Sequence, residues 1–286
     1  TAFGRPHPRS FGSHARILSD IVRERHIISL EEAVRKLSSQ AANRLGLTNP
    51  FFKVHEGVAG ATTQVSGRVL INFSSYNYLG LSGHPRVNRA ATDAIERYGT
   101  SVSASRLVAG ERPIQRELEE ELAALYEVDD CLVFVSGHAT NVSVIGGLLG
   151  ADDLIVTDTL IHNSIVEGAK LSGARRIMCP HNNIEAMERA LRLNRRRHRR
   201  ALIVVEGLYS MDGDVPELGA LVRLKRRYDA WLMVDEAHSA GVLGAAGRGI
   251  AEEQGVDPGD VDIWMGTLSK SFASSGGYIA GRRDLI

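Results

Sequence analysis

Short apolar runs alternate with longer amphipathic stretches along most of this chain. Five of the runs are continuous and rich in β-branched and other large apolar residues: Cys131-Leu-Val-Phe-Val, Leu154-Ile-Val-Thr, Ala201-Leu-Ile-Val-Val, Trp231-Leu-Met-Val and Val261-Asp-Ile-Trp-Met. Such runs are typical of strands that are buried on both faces. The stretches between them have helical spacing, as in Pro113 to Glu127, Asn183 to Asn194 and Leu218 to Tyr228. This alternation predicts an α/β fold with a mostly parallel central sheet.

The amino-terminal part of the chain has a different pattern. Residues up to about Leu47 are polar and compatible with helix, and Ser29-Leu-Glu-Glu predicts the capped start of a helix that reaches Ala42. The stretch from Phe52 to Phe73 predicts extended segments that turn at Ser66-Gly67. We therefore expect an amino-terminal arm and an extended segment over residues 1–71, and a large domain over residues 72–286.

The overall charge and the cysteines narrow the class of protein. The chain has 34 lysines and arginines and 34 aspartates and glutamates, so its formal net charge is zero, and nothing in this balance indicates nucleic acid or an anionic membrane as a partner. The one dense basic run, Arg192 to Arg200, is better explained as a solvated helix end. Cys131 and Cys179 both lie in apolar sequence and no apolar run has membrane-spanning length, so we expect a soluble, cytoplasmic protein.

Lys270 follows the fifth apolar run and is one of only five lysines in the chain. Ligands of parallel sheets gather at the carboxyl ends of the strands, which is where Lys270 and its neighbour Thr267 would lie. Burial lowers the pKa of an amine and leaves more of it neutral and nucleophilic, as an aldehyde cofactor requires. The alternative is a structural lysine whose charged end reaches solvent.

Charged and polar residues also follow the second and fourth runs. Asp235 ends a buried strand, where a carboxylate needs a cationic partner, such as a protonated pyridine nitrogen. His238 lies three residues further on and could reach a hydroxyl of the same ring. A hydrolase triad is a poor alternative because the chain has no Gly-x-Ser-x-Gly motif. His162 could stack on a flat heteroaromatic ring, transfer protons, or be a structural histidine.

The first and third runs end in small turns. Ser136-Gly-His leads into a probable helix, so the backbone amides of Gly137 and His138 could bind a phosphate group. Glu206 and Ser210 belong to a segment of acidic residues and glycines that could indicate magnesium. No nucleotide-type phosphate loop accompanies them, so we interpret them as hydrogen-bonding groups of an organic cofactor pocket and expect no metal site.

Taken together, these motifs resemble the α-oxoamine synthase family of pyridoxal-phosphate enzymes, which have the aspartate-aminotransferase fold (fold type I). The matching segments fall in family order: Asn72-Phe-Ser-Ser-Tyr-Asn-Tyr-Leu-Gly80, Tyr98-Gly-Thr-Ser followed by Gly110, Ser136-Gly-His, His162-Asn-Ser, Glu206-Gly-Leu-Tyr-Ser-Met-Asp-Gly-Asp214, Asp235-Glu-Ala-His238 and Thr267-Leu-Ser-Lys270. The resemblance implies a three-layer sandwich that forms the large, cofactor-binding domain. It also implies a small carboxyl-terminal domain, which we expect to lie beyond Ile286.

The resemblance assigns a role to each candidate residue. Lys270 would form the Schiff base and later move the α-proton, and Asp235 would keep the pyridine nitrogen protonated. The other cofactor-binding roles are stacking on the ring by His162, hydrogen bonds to the phenolic oxygen by His238 and Ser210, phosphate binding by Gly137, His138 and Thr267, and support of the pocket by Glu206. Asn77 would lie near the carboxylate of the amino-acid substrate.

The family reaction joins an amino acid to an acyl thioester, usually with loss of carbon dioxide, and gives an α-amino ketone. The thioester is carried by coenzyme A or by an acyl carrier protein, and a homodimer is expected. An aminotransferase and a non-catalytic subunit of the same fold remain alternatives. The segment Thr100 to Arg106 is bulkier than is usual in the family, and the arm suits a domain of a biosynthetic megasynthase.

Overall fold

A computed structural model describes Ser29, Glu32 and residues 53–286 of the chain. These residues fall into two units, of which the larger comprises Gly57–Thr63 and Leu70–Ile286. In the other unit, the backbone N–H of Glu32 donates a hydrogen bond to Ser29 Oγ over 3.2 Å, which is the capping contact that the sequence predicts. The rest of the predicted helix to Ala42 lies outside the described residues, and the boundary between residues 71 and 72 stays a prediction.

The predicted extended segment is a β-hairpin. Strands β1 (Thr62–Val65) and β2 (Arg68–Ile71) pair with each other. The turn residues Ser66 and Gly67 have φ angles of 52° and 73°. Positive φ at both positions matches the twist of two paired antiparallel strands, so the turn lies where the sequence places it.

A seven-stranded sheet forms the centre of the larger unit. Its strands are β3 (Asp130–Phe134), β4 (Leu154–Asp158), β5 (Arg175–Cys179), β6 (Ala201–Glu206), β7 (Trp231–Asp235), β8 (Ile263–Thr267) and β9 (Gly277–Gly281). They lie in the order β3-β9-β8-β7-β6-β4-β5, and β9 runs antiparallel to both of its neighbours. The predicted mostly parallel sheet is therefore confirmed.

The helices of the larger unit follow the predicted amphipathic stretches. They are α1 (Pro85–Tyr98), α2 (Pro113–Tyr126), α3 (Gly137–Leu148), α4 (Asn163–Ser172), α5 (Ile184–Asn194), α6 (Leu218–Tyr228) and α7 (Ile250–Gln254), and a π-helix spans Arg106–Gly110. The helices predicted from residues 113, 183 and 218 each begin within one residue of the expected position. None of the helices in the described part of the chain has the length and apolar character that a membrane span requires.

Two separate apolar cores cover the two faces of the sheet. Along β6, Ile203 and Val205 belong to one core, whereas Leu202 and Val204 belong to the other. Helices α2, α5 and α6 supply the first core, and α3 and α4 supply the second. Because side chains alternate across a strand, both faces must be apolar for the sheet to lie between two helical layers. This arrangement confirms the predicted three-layer α/β sandwich.

The strand order brings several polar strand ends together. Glu206 at the end of β6 is the register partner of Asp235 at the end of β7, and Asp235 is in turn the partner of Met265 in β8. Thr267 ends β8 two residues later. All of these strands are parallel, so their carboxyl ends lie at one edge of the sheet and build a common site there.

Candidate active site

A cavity of about 210 Å³ lies at this edge of the sheet. Eight of the ten residues predicted for the site line it: Gly137, His138, His162, Glu206, Asp235, His238, Thr267 and Lys270. Ser136, Asn141, Ser164, Ala237, Met265 and Ser269 complete the lining. The residues at the ends of the apolar runs therefore form one site, as their positions in the sequence predict.

The amine of Lys270 is held by aromatic and imidazole side chains. Its Nζ lies 2.7 Å from His238 Nε2 and 5.5 Å from the centroid of the Tyr76 ring. The other ring nitrogen of His238, Nδ1, lies 2.8 Å from the hydroxyl of Tyr78. Burial lowers the pKa of Lys270, and the nearby carboxylates of Asp235 and Glu206 oppose this shift only in part. Burial, helped by Lys270 and His162, lowers the pKa of His238 to about 4, so His238 is neutral at pH 7.

Asp235 presents a buried carboxylate that only neutral groups bind. Its Oδ2 accepts a hydrogen bond from Asn141 Nδ2 over 2.9 Å, and its Oδ1 accepts one from the backbone N–H of Ala237 over 3.0 Å. No cation among the described residues forms an ion pair with it, although only 4% of the residue is exposed. A buried charge of this kind is costly unless a cation faces it, so the site suits a cationic ligand atom.

His162 lies at the start of α4, between the cavity and the helix. Its Nδ1 accepts a hydrogen bond from the backbone N–H of Ser164 over 3.2 Å and lies 2.7 Å from Ser164 Oγ. The ring remains accessible from the cavity, yet the surrounding protein lowers the pKa of His162 through desolvation, against the opposing charge of Asp235. The imidazole ring is therefore neutral at pH 7 and free to lie against a flat ligand.

Glu206 is a second buried carboxyl group beside Asp235. Burial and the neighbouring charge of Asp235 raise the pKa of Glu206 to about 8, while the backbone amides of His162 and Ser210 and the charge of Lys270 act in the opposite direction. Glu206 is therefore mostly protonated at pH 7, and it supports the cavity wall as a neutral hydrogen-bonding group.

The predicted phosphate site is the first turn of α3. Ser136 caps this helix by accepting a hydrogen bond from Ala139 N over 3.1 Å, and the amides of Gly137 and His138 begin it. A Cβ atom at Gly137 would lie 3.0 Å from the Cβ of Thr267, so glycine lets the start of α3 approach Thr267 closely. The Thr267 hydroxyl donates to the carbonyl of Gly276 over 3.0 Å. The free N–H groups and positive end of a helix attract anions.

Two of the predicted site residues do not line the cavity. Ser210 is exposed in the turn after β6. The side chain of Asn77 donates to Ala59 O over 2.8 Å and accepts from Ser82 N over 3.1 Å, so it joins its own loop to the segment before β1. Their roles in cofactor and substrate binding stay predictions.

Four residues at or beside the cavity have contacts that the sequence did not predict. Tyr76 and Tyr78 contact Lys270 and His238, and Asn141 and Ser164 contact Asp235 and His162. For Tyr76, Tyr78 and Ser164, the available signal was that they are the aromatic or polar residues of motifs that also contain predicted site residues. Within the part of the chain that the structure describes, no three His, Cys, Asp or Glu side chains are placed to hold a metal ion.

The chain belongs to the aminotransferase class I and II family, whose match spans residues 68–286. It is similar to 8-amino-7-oxononanoate synthase of Geobacter sulfurreducens, with 46% identity over 230 residues that cover 80% of this chain and 58% of the relative. It is also similar to human serine palmitoyltransferase 3, with 42% identity over 252 residues that cover 83% of this chain and 46% of the relative. Both names denote α-oxoamine synthases, so the predicted resemblance is confirmed.

Solved structures support the same assignment. Sphingomonas wittichii serine palmitoyltransferase has a TM-score of 0.80 at 32% identity, covering 87% of this chain and 64% of that one. A serine palmitoyltransferase solved with PLP as an internal aldimine has a TM-score of 0.83 at 32% identity, covering 90% of this chain and 65% of that one. The chain spans less than two thirds of the length of the curated relatives described above.

Proposed function

We propose that the protein uses pyridoxal phosphate to condense an amino acid with an acyl thioester. The observation that carries this proposal is the placement of the Lys270 amine 2.7 Å from a neutral His238, in a cavity that also holds the buried carboxylate of Asp235. The names of its relatives, 8-amino-7-oxononanoate synthase and serine palmitoyltransferase, favour condensation over amino-group transfer. The amino acid, the acyl group and the choice between coenzyme A and a carrier protein are left open by these names.

The cavity fits pyridoxal phosphate, which is the ligand of solved serine palmitoyltransferases that resemble this chain. Asp235 forms no ion pair among the described residues, and a protonated ring nitrogen would supply one. The first turn of α3, where Gly137 lets Thr267 approach closely, would hold the phosphate. His162 would lie against the ring, and Lys270 would hold the aldehyde carbon.

The cofactor, when bound, supplies an aldehyde carbon that reacts with amines and a ring that withdraws electrons from the carbon atoms attached to that amine. The protein supplies the amine of Lys270 and the imidazole of His238. Burial lowers the pKa of Lys270, which enlarges the neutral fraction of its amine and gives it the lone pair that attack on a carbonyl carbon requires. Nε2 of His238 is placed to exchange a proton with Nζ, and Tyr78 fixes the orientation of the imidazole.

Trapping the cofactor with borohydride tests the lysine assignment. In the complete protein incubated with pyridoxal phosphate, reduction and peptide mapping are expected to find the label on Lys270. The variant Lys270→Ala should lose it, whereas Lys170→Ala should keep it, because Lys170 pairs with Glu167 on the exposed side of α4. A label on another lysine, or no label at all, would contradict the proposal.

Product analysis tests the reaction. Condensation forms a bond between the α-carbon and the acyl carbon, breaks the carbon–sulfur bond, and releases the thiol together with the carboxylate as carbon dioxide. A panel of amino acids and acyl thioesters should therefore yield thiol, carbon dioxide and an α-amino ketone in equal amounts. Keto acid formed in stoichiometric amount would indicate an aminotransferase, and a trapped cofactor without any turnover would indicate a non-catalytic subunit.

The same proposal includes a homodimer in the cytoplasm. Exposed apolar side chains support the dimer, among them Leu107 and Val108 of the π-helix, which are 96% and 82% exposed. Cys131 and Cys179 are buried free thiols, which suits a reducing compartment. Sedimentation of the purified protein and fractionation of cells that express it test these two points.

A further inference from the structure

A continuous chain of hydrogen bonds joins the two cofactor-facing residues Asp235 and His162. Asn141 Nδ2 lies 2.9 Å from Asp235 Oδ2 and 2.9 Å from Ser164 Oγ. Ser164 Oγ lies 2.7 Å from His162 Nδ1. Asn141 and Ser164 are 1% and 0% exposed, so water does not compete for these contacts.

The position of each proton in this chain follows from counting donors and acceptors. The Nδ2 group of Asn141 has two hydrogens, and it directs one to the carboxylate and one to Ser164 Oγ. The reverse orientation of the amide would bring its carbonyl oxygen against the Asp235 carboxylate. Ser164 Oγ therefore accepts from Asn141, and its single hydrogen remains available for His162 Nδ1.

His162 Nδ1 faces donors only. The backbone nitrogen of Ser164 lies 3.2 Å from it, and a backbone N–H can only donate a hydrogen bond. A hydrogen on Nδ1 would be repelled by the hydrogen of this N–H and by the Ser164 hydroxyl hydrogen. The single proton of the neutral ring consequently lies on Nε2.

We propose that Asn141 and Ser164 are positioning residues that hold His162 as the neutral Nε2–H tautomer and tie its orientation to Asp235. The role that this gives to His162 in catalysis rests on the proposed function. The ring would then lie against the cofactor without adding a positive charge, and its one N–H would be a donor inside the cavity. His162 and Asp235 are each placed through the same amide, so a shift of one ring-binding residue moves the other.

The unpaired oxygen of Asn141 supports a role beyond stability. Because both hydrogens of Nδ2 are used, Oδ1 is left buried and has no partner in the described part of the chain. A buried unpaired acceptor typically costs about 1–3 kcal/mol. A side chain that served stability alone could be one without this unpaired oxygen, whereas the amide observed here satisfies both Asp235 and Ser164.

Nitrogen-15 NMR of the cofactor-free protein, labelled at histidine, tests the tautomer directly. The His162 signals, assigned with His162→Gln, should show a protonated Nε2 and an unprotonated Nδ1. Asn141→Asp should reverse the chain, because the Ser164 hydroxyl would then donate to the new carboxylate and leave Nδ1 to donate to Ser164 Oγ. We expect the His162 pKa to rise in Asn141→Asp and the proton to shift towards Nδ1.

Two further variants keep the test decisive if Asn141→Asp folds poorly. Ser164→Ala removes one donor to Nδ1 and should raise the pKa of His162 and reduce the preference for the Nε2–H tautomer. Ser143→Ala, an exposed position on the same helix as Asn141, should leave both unchanged. Identical His162 tautomer and titration in wild type and Ser164→Ala would overturn the proposal.

The complete enzyme separates this inference from the proposed function. With the substrates that the product analysis identifies, Ser164→Ala should lower kcat by roughly tenfold, with a smaller change in KM, because a misplaced ring affects the reaction more than substrate binding. A failure of the protein to bind pyridoxal phosphate would contradict the proposed function alone and leave the NMR result standing. An unchanged kcat with a changed tautomer would overturn the positioning role.

Discussion

Glu206 shows how a single buried side chain makes this site sensitive to pH. Only 4% of the residue is exposed, and burial together with Asp235 raises its pKa from an ordinary 4.5 to about 8. Between these two values the folded state keeps a proton that the unfolded state releases. The contribution of Glu206 to stability therefore falls as the pH rises from 4.5 to 8, and this contribution is constant above and below that window.

Replacing Glu206 with glutamine should remove this component. We expect Glu206→Gln to stabilise the cofactor-free protein relative to wild type at pH 9, by an amount on the order of 2–4 kcal/mol, and to have little effect near pH 4. Urea unfolding at several pH values measures the difference. Glu117→Gln, an exposed change on α2, is the control. A difference between Glu206→Gln and wild type that does not grow with pH would contradict the raised pKa.

Residues at the ends of apolar runs were predictable, whereas their supporting residues were not. Lys270, Asp235 and Glu206 follow strands of one parallel sheet, and the register that joins Glu206 to Asp235 follows from that topology. Tyr78 contacts His238 across 160 residues of sequence, and Asn141 lies inside a helix whose rotation decides where its side chain points. These contacts depend on packing between distant elements, which periodicity does not determine.

At the scale of elements, His181 joins the turn after β5 to the ends of two other segments. Its Nδ1 lies 3.0 Å from Asp158 Oδ1 at the end of β4, and its Nε2 lies 2.8 Å from Asp214 Oδ2 in the turn after β6. The rings of His181 and Tyr209 are nearly perpendicular, with centroids 4.5 Å apart. Desolvation lowers the pKa of His181, but the bonds to both aspartates outweigh it and raise the pKa above 6.5.

The bridge predicts a loss of stability at alkaline pH. Both contacts need a ring N–H, so the contribution is full below the unfolded pKa near 6.5 and is lost as the pH rises through the raised folded value. His181→Gln should cost about 1–3 kcal/mol at pH 6 and less at pH 9. Thermal unfolding across this range measures it. His198→Gln is the control, because the ring of His198 bonds the carbonyl of Asn194 and not an aspartate. An equal cost of His181→Gln at both pH values would refute the bridge.

Close packing of α3 against α4 depends on Gly168. A Cβ atom there would lie 2.8 Å from Asn141 O and 3.0 Å from Ile145 Cβ, so one helix would have to move. We expect Gly168→Ala to destabilise the protein by about 1–3 kcal/mol and to displace Asn141. Gly147→Ala on α3, where a Cβ meets no atom within 4 Å, should be neutral or stabilising by about 0.5–1 kcal/mol. Urea midpoints measure both, and equal effects would contradict the packing argument.

Element boundaries show which local patterns were informative. The five predicted strands are confirmed. They were predictable because strands buried on both faces are continuous apolar runs. Strand β5, Arg175–Cys179, was missed, since it lies at the sheet edge and carries two arginines and an exposed methionine. The antiparallel direction of β9 was not predicted either, because direction depends on the connection after Lys270 and not on the composition of Gly277–Gly281.

At the scale of the whole molecule, several large apolar side chains of the described residues are exposed to solvent. The π-helix is anchored at both ends. Its first residue, Arg106, forms ion pairs with Glu111 and Glu119, and its last residue, Gly110, is buried. Leu107 and Val108 nevertheless point outward, and Phe73 is 94% exposed. Apolar side chains that an anchored element presents to solvent are characteristic of an interface, and a second copy of the chain is the partner that the proposal above includes.

Charging the π-helix should therefore dissociate the complete protein. We expect Leu107→Glu combined with Val108→Glu to change a dimer into a monomer, because each charge would be buried without a partner at the interface. Sedimentation equilibrium measures the mass, and circular dichroism checks the fold. Leu193→Glu is the matched control, since Leu193 is 60% exposed on α5, beside arginines and outside the π-helix. A double variant that stays dimeric would show that the second copy binds another surface, and a monomeric wild type would remove the dimer altogether.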